Sequence, residues 1–306
     1  MNIFTNFLIS FLIAGGAAAE PLRIGYPATG TIISAQIGQI FEKTGILKQN
    51  GFEASVTAMG TGKELKEAMV SGRLDVMMTS EANFVVLLGE GFDAQAMNTL
   101  GSAGRVALIV KDDSEFKRVE DLKGKTIATI FGTSMHKPAV EWAKEAGGSV
   151  ININQMGALQ AALETGATPA IISIDPFLYD RLQQNKIRIL KEDTFTLITL
   201  VNGAFAKKNP QAIPRLRKAF VEAVRYMRAH RTEVNGWFSQ MAKLEVKSID
   251  KSSQHNKNYS AGPKDPVDLD VTPAFRKRLE SLAGFLFQEK LIKSNPDISA
   301  HILNQK

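Results

Sequence analysis

Residues 119–148 read VEDLKGKTIATIFGTSMHKPAVEWAKEAGG and contain a whole folding unit. Residues 126–130 form a short apolar, β-branched run that predicts a buried strand. Small polar residues from Gly132 to His136 make a turn, and residues 134–145 predict a helix. Strand, polar turn and helix in that order are the building block of an α/β fold.

The same order recurs on either side. Residues 22–26 predict a strand, followed by a turn at 27–30. Ile33, Ile37, Ile40 and Phe41 then fall at i, i+4, i+7 and i+8, the apolar face of a helix. Residues 52–58 alternate as a strand, and Gly60-Thr61-Gly62 opens a helix with Leu65, Ala68 and Met69 inward. Further strands are expected at 74–78, 94–100, 105–110, 150–153 and 170–174, with helices at 81–88 and 158–164. The tail differs. It predicts a long helix over 209–230, a polar surface loop over 248–270, and a last helix through Phe287. In that last helix Thr272 is the N-cap and Pro273 takes the first turn. Arg215, Lys218, Arg225 and Arg228 of the long helix read as a solvated basic face.

The chain has 306 residues, 44% hydrophobic and 22% charged, which excludes disorder and fibrous repeats. It has no cysteine, so disulfides, thiolate metal sites and a cysteine nucleophile are excluded. The net charge of +6 reads as scattered solvated lysines and arginines, and no basic–aromatic interleaving points to nucleic acid. Residues 1–19 carry no charged side chain and end in Ala17-Ala18-Ala19, as a secretory signal peptide cleaved after Ala19 would. With no cysteine to carry a lipid anchor, the expected product is a free periplasmic protein.

Catalytic motifs fail on inspection. The four histidines lack metal-ligand spacing, and neither HExxH nor G-x-S-x-G occurs. Gly60-Thr61-Gly62-Lys63 is not a phosphate loop, because Thr57 and Glu64 stand where glycine and a hydroxyl residue are needed. What remains is a set of strand-to-helix turns at 27–31, 60–63, 79–81 and 132–136, rich in Ser, Thr and Gly. In parallel sheets such turns lie at the carboxyl ends of strands, where ligands bind. The N–H groups of a helix start can hold a small anion there. The plain alternative is that these residues are only N-caps.

The fragments LRIGYPATG, GTGKELKEAMVSGRLDVMMTSEANFVVLLGEGFDAQAM, the 119–148 stretch, IISIDPFLYDRL, FAKKNPQAIPRLRKAFVEAVRYMRAH and SLAGFLFQEKLI appear in an ordered series. In that order and spacing the chain resembles the nitrate/sulfonate/taurine group of periplasmic solute-binding proteins of ABC importers. The resemblance implies a type II periplasmic-binding-protein fold, α/β, with two lobes, mainly parallel sheets and a hinge. One lobe would combine residues 20–102 with 207–306, and the other would hold 103–206, with crossovers near 103–110 and 200–206. It implies a monomer that presents its ligand to a membrane permease, without cofactor or catalysis. The same fold also serves a periplasmic ligand sensor, a pyrimidine synthase and a chorismate-dehydratase-like enzyme, which stay as alternatives.

Carried over by position, the implied ligand contacts are Thr29, Gly30, Thr61, Gly62, Ser80, Glu81, Gly132, Thr133, Ser134, His136 and Asp175. Thr133 and Ser134 would grip an acidic head group, with His136 as a further donor. Gly30 and Gly62 would let backbone approach the ligand. Ile174 stands where many relatives have Trp, so a stacking wall is missing. Glu81 and Asp175 add negative charge that suits an amine-bearing ligand, such as taurine or a thiamine pyrimidine precursor, better than nitrate or a simple sulfonate. Either could instead be held in an ion pair by Lys63 or Arg105.

Overall fold

A computed structural model describes residues 20–29 and 31–303, so the signal-peptide reading of 1–19 and the contact expected of Gly30 lie outside the described residues. Eight strands are seen among them: β1 Glu20–Pro27, β2 Phe52–Met59, β3 Val76–Ser80, β4 Ala94–Lys111, β5 Thr126–Thr129, β6 Ser149–Asn152, β7 Ala170–Ile174 and β8 Ile187–Asn202. They form one ladder in the order β2-β1-β3-β8-β4-β7-β5-β6. β1 pairs in parallel with β2 and β3, and β5 with β6 and β7; the three central pairings, all involving β4 or β8, are antiparallel.

The helices before the long β8 strand are α1 Ile32–Lys43, α2 Ile46–Gln49, α3 Gly62–Val70, α4 Glu81–Gly89, α5 His136–Ala146, α6 Met156–Glu164 and α7 Phe177–Gln183. After it come α8 Gly203–Lys208, α9 Ala212–Ala229, α10 Arg231–Ala242, α11 Val246–Ser253, α12 Lys257–Ser260 and α13 Pro273–Gln288. They cover both faces of the sheet, which explains why its strands are apolar on both sides. In β3, Val76 and Met78 pack into the core shared with α1, α9 and α10, while Met77 packs into the one shared with α3, α4 and α13. In β5, Ile127 joins the first of these cores, while Ala128 joins a third with Leu159, Leu163 and Leu178.

Several expectations need correction. The strands expected at 94–100 and 105–110 are one 18-residue strand, β4. The intervening Gly-Ser-Ala-Gly looked like a break, but the ladder with β8 continues through register shifts at Ala96/Asn98, Thr99/Gly101 and Ser102/Gly104. Gly101 takes φ +93°, which a residue with a Cβ would resist. The partner strand β8 was not anticipated, because its middle, Lys-Glu-Asp at 191–193, is polar. The surface loop expected over 248–270 contains α11 and α12, with Ile249, Tyr259, Asn256 and Asn258 buried. Arg228 is not part of a solvated face: it is 4% exposed. Its guanidinium donates to the carbonyls of Asn258 and Asp265 at 2.7 and 2.8 Å, so it organises that segment from within. The long helix begins at Ala212, and Thr272 caps the last helix by accepting from the Phe275 N–H at 3.2 Å.

Candidate functional site

The strand registers decide where the polar turns lie. β1, β2 and β3 are parallel, and the end of β3 at Ser80 stands opposite Leu197 of β8. From the other side β7 ends with Ile174 opposite Val106 of β4, and β5 runs parallel to it. Carboxyl ends from both flanks therefore point at one short zone, residues 101–105 of β4 and 194–196 of β8, where only the two long strands continue. All the predicted turns follow these strand ends.

On the first flank, Thr29 is half-buried in the turn after β1, whose Ala28 N–H donates to the Met59 carbonyl at 2.8 Å. Thr31 is the N-cap of α1, yet its side chain makes no capping bond and its buried Oγ1 has no partner. Thr61 does cap: its Oγ1 accepts from the Glu64 N–H at 3.1 Å, which accounts for this hydroxyl locally. Gly62 is closely packed against α4: a Cβ there would lie 2.6 Å from the Asn83 Nδ2, which donates to the Thr79 Oγ1. Ser80 is the N-cap of α4, half-buried and without a side-chain capping bond.

On the second flank, Gly132 has φ +71° and its N–H donates to the His136 Nδ1 at 3.3 Å. Thr133 turns its hydroxyl inward, donating to the Ile130 carbonyl at 2.7 Å and accepting from the Met135 N–H. Ser134 is different: its Oγ is buried and unpaired. The helix starts at His136, which is 2% exposed, stacks on Phe131 at 4.0 Å and meets the edge of Phe285 of α13 at 5.9 Å. Burial drives the His136 pKa down to about 4, so at neutral pH the ring is uncharged. Its Nδ1 accepts from Gly132, which leaves Nε2 to carry the proton.

Both carboxylates expected near the ligand are held by arginines. Asp175 accepts from the Arg105 Nε at 2.8 Å and Nη2 at 3.0 Å, the ion-pair alternative. Glu81 pairs with neither Lys63 nor Arg105. It takes Arg278 of α13, whose Nε lies 2.9 Å from one carboxylate oxygen and 3.0 Å from the other. The Arg278 Nη2 donates to the Thr194 carbonyl in β8, and Asp193 lies 3.9 Å away. Lys63 is exposed and sits 3.8 Å from Glu67 on its own helix. Desolvation pushes the Glu81 pKa up to about 7 against the opposing pull of Arg278. Glu81 and Ser134 share a small cleft of about 100 Å³ with Lys137, Glu141, Asp193 and Arg278, so the starts of α4 and α5 do face each other. Arg278, 197 positions beyond Glu81, is the residue the sequence reading missed; nothing in its helical surroundings distinguishes it from its exposed neighbours.

Comparison with known proteins gives a consistent picture. The aliphatic sulfonates-binding protein of Escherichia coli (strain K12) is 23% identical over 96% of this chain and 92% of its own length. The crystal structure of the Escherichia coli periplasmic aliphatic sulphonate binding protein SsuA superimposes with a TM-score of 0.77 at 22% identity, covering 92% of this chain and 97% of that one. The alkanesulfonate-binding SsuA of Xanthomonas axonopodis pv. citri, bound to MOPS, gives 0.74 at 18% identity over 94% and 99%. These likenesses establish a periplasmic-binding-protein fold. The NMT1/THI5-like family model matches residues 40–234, well over half of the sequence, and this chain belongs to that family.

Proposed function

We propose that this protein is the periplasmic substrate-binding component of an ABC importer and captures a small organic acid of the sulfonate class between two lobes. The observation that carries the reading is the convergence of strand ends from both flanks on the β4/β8 crossing, with Thr31 and Ser134 hydroxyls unpaired at two helix starts. Helix N-termini and hydroxyls can bind an anion without a counter-ion, and the fold's relatives named above bind sulfonates. The uncharged His136 adds a donor and no charge. The negative charge of Glu81 and Asp175 is answered by Arg278 and Arg105, so it no longer argues against a simple acid. Ligand contacts are best assigned to Thr29, Thr31, Ser80, Gly132, Ser134 and His136, with Thr61 and Thr133 contributing backbone N–H groups.

The lobes meet where β4 and β8 cross, and the register shifts at Gly101 and Gly104 suit a hinge. The strand pairing supports placing the second crossover at 194–196, ahead of the 200–206 expected from sequence. Among the described residues no helix is long and apolar enough to cross a membrane. The test is a thermal-shift screen of the purified protein with alkanesulfonates, taurine, nitrate, bicarbonate and pyrimidines. A ligand at 100 times its Kd stabilises by about 2.7 kcal/mol, a plainly measurable shift. No shift with any of these, or turnover of one of them, would sink the reading.

A further inference from the structure

A second set of buried polar atoms lies beside the crossing, on the sheet face covered by α1 and α11. Asn98 of β4 is 0% exposed, and neither its Oδ1 nor its Nδ2 has a hydrogen-bond partner. Directly opposite it in the ladder stands Thr199 of β8, also 0% exposed, with an unpaired Oγ1. Thr199 alternates with Leu197 and Val201, which pack into the α1-side core, so both polar groups point to that side. α1 and α11 each pack on β4 and on one another. They bring Ser34 of α1 and Ser252 of α11, at 0% and 1% exposed, each again with an unpaired hydroxyl. α11 also packs against α7 of the other flank, so it bridges the crossing.

An unpaired buried amide or hydroxyl is destabilising, and native cores hold few of them. Here four residues on four elements, β8, α1 and α11 each packed on β4, carry that cost together, with Thr31 at the start of the same α1. None of the five is ionisable. With the acid taken at the helix starts, the set offers donors and acceptors to a neutral group on the same ligand.

We propose that Asn98 and Thr199 determine specificity by reading a neutral hydrogen-bonding group, such as a hydroxyl or amide, on the body of the captured acid. The inference rests on the binding-protein reading: the helix starts take the acid, and the sheet floor between α1 and α11 takes the neutral group. A site built to bond a hydroxyl discriminates strongly against the analogue lacking it, because its own polar groups are then left bare.

The test compares 2-hydroxyethanesulfonate with ethanesulfonate by calorimetric titration on the wild-type protein, Asn98→Leu and the milder Thr199→Val. The expected result is a preference of about tenfold or more for the hydroxy acid, corresponding to about 1.4 kcal/mol, which collapses towards one in both variants. The ligand-free variants should also melt at or above the wild-type temperature, since an apolar isostere relieves an unpaired polar group. Equal binding of the two acids by the wild type overturns this inference alone, as does a preference that survives both substitutions. Lower melting temperatures with an unaltered preference mean that buried water satisfies these groups, and overturn it as well. If the wild type binds neither acid but another compound of the thermal-shift screen binds, this inference alone falls; if nothing in that screen binds, the binding-protein reading falls and takes this inference with it.

Discussion

Asp175 and Glu81 occupy comparable places on the two flanks, one just after β7 and the other just after β3, and each is 3% exposed and paired with an arginine. Their partners differ. Arg105 lies on the adjacent strand β4, its side chain is 13% exposed, and its backbone N–H also points at the Asp175 carboxylate at 3.4 Å. Arg278 reaches Glu81 from the C-terminal helix, is 39% exposed, and divides its donors between the carboxylate and the Thr194 carbonyl. A pair built into neighbouring strands is a fixed part of the sheet. A pair assembled from distant elements, with one member open to water, can respond to pH.

The largest break in that comparison is expected from Arg105→Met, which leaves Asp175 buried without its cation. Such a loss costs about 3–5 kcal/mol. Urea denaturation should show the drop, and Arg105→Met combined with Asp175→Asn should recover part of it. A variant as stable as wild type would make the pair a surface ornament.

A smaller effect separates Glu81 from His136 by sign. Glu81 is raised to about 7 in the folded protein, so its contribution to stability is fully present below its unfolded value and is lost as pH rises through 7. His136 is depressed to about 4, so it favours folding above its unfolded value and that contribution is lost as pH falls from about 6.5 towards 4. The two oppose each other in the wild type. Glu81→Gln should leave the histidine's slope exposed, giving a protein that weakens towards acid by an amount of order 2–3 kcal/mol between pH 7 and 4. His136→Asn should show the reverse, a protein that weakens towards alkali. Melting temperatures across pH 4–8 for the three proteins decide the matter; parallel curves would refute both assignments.

The smallest effect is expected from Thr61→Ala, which removes the cap on α3 and should cost about 1 kcal/mol. Because that hydroxyl faces its own helix, affinity for any ligand found in the screen should stay within twofold. A large loss of binding would return the Thr61 side chain to the site.

These pairs also show how much could be read in advance. The strand–turn–helix units, their buried faces and the position of the polar turns were legible because each is encoded within about 25 consecutive residues. The short contacts inside those turns were partly legible: the plain N-cap alternative holds at Thr61, whose Oγ1 accepts from the Glu64 N–H. Arg278 was not legible, since a basic residue on an amphipathic helix looks the same whether it faces water or reaches a carboxylate on another element. Nor were α11 and α12, which bury only Ile249 and Tyr259 as large apolar side chains and are otherwise tied in by Asn258, whose carbonyl accepts from Arg228, and by Asn256, which donates to the Leu100 carbonyl of β4.

By itself the sequence determined the α/β class, the order of most elements and the polar turns after the strand ends. Those depend on local periodicity and on the conformational preferences of Gly, Ser and Thr. Tertiary structure alone decided that β4 is one strand through Gly101, that β8 pairs with it, and which hydroxyls are left unpaired. Register, ion pairing and unmet hydrogen bonds are properties of two surfaces brought together, and no single stretch of chain contains both.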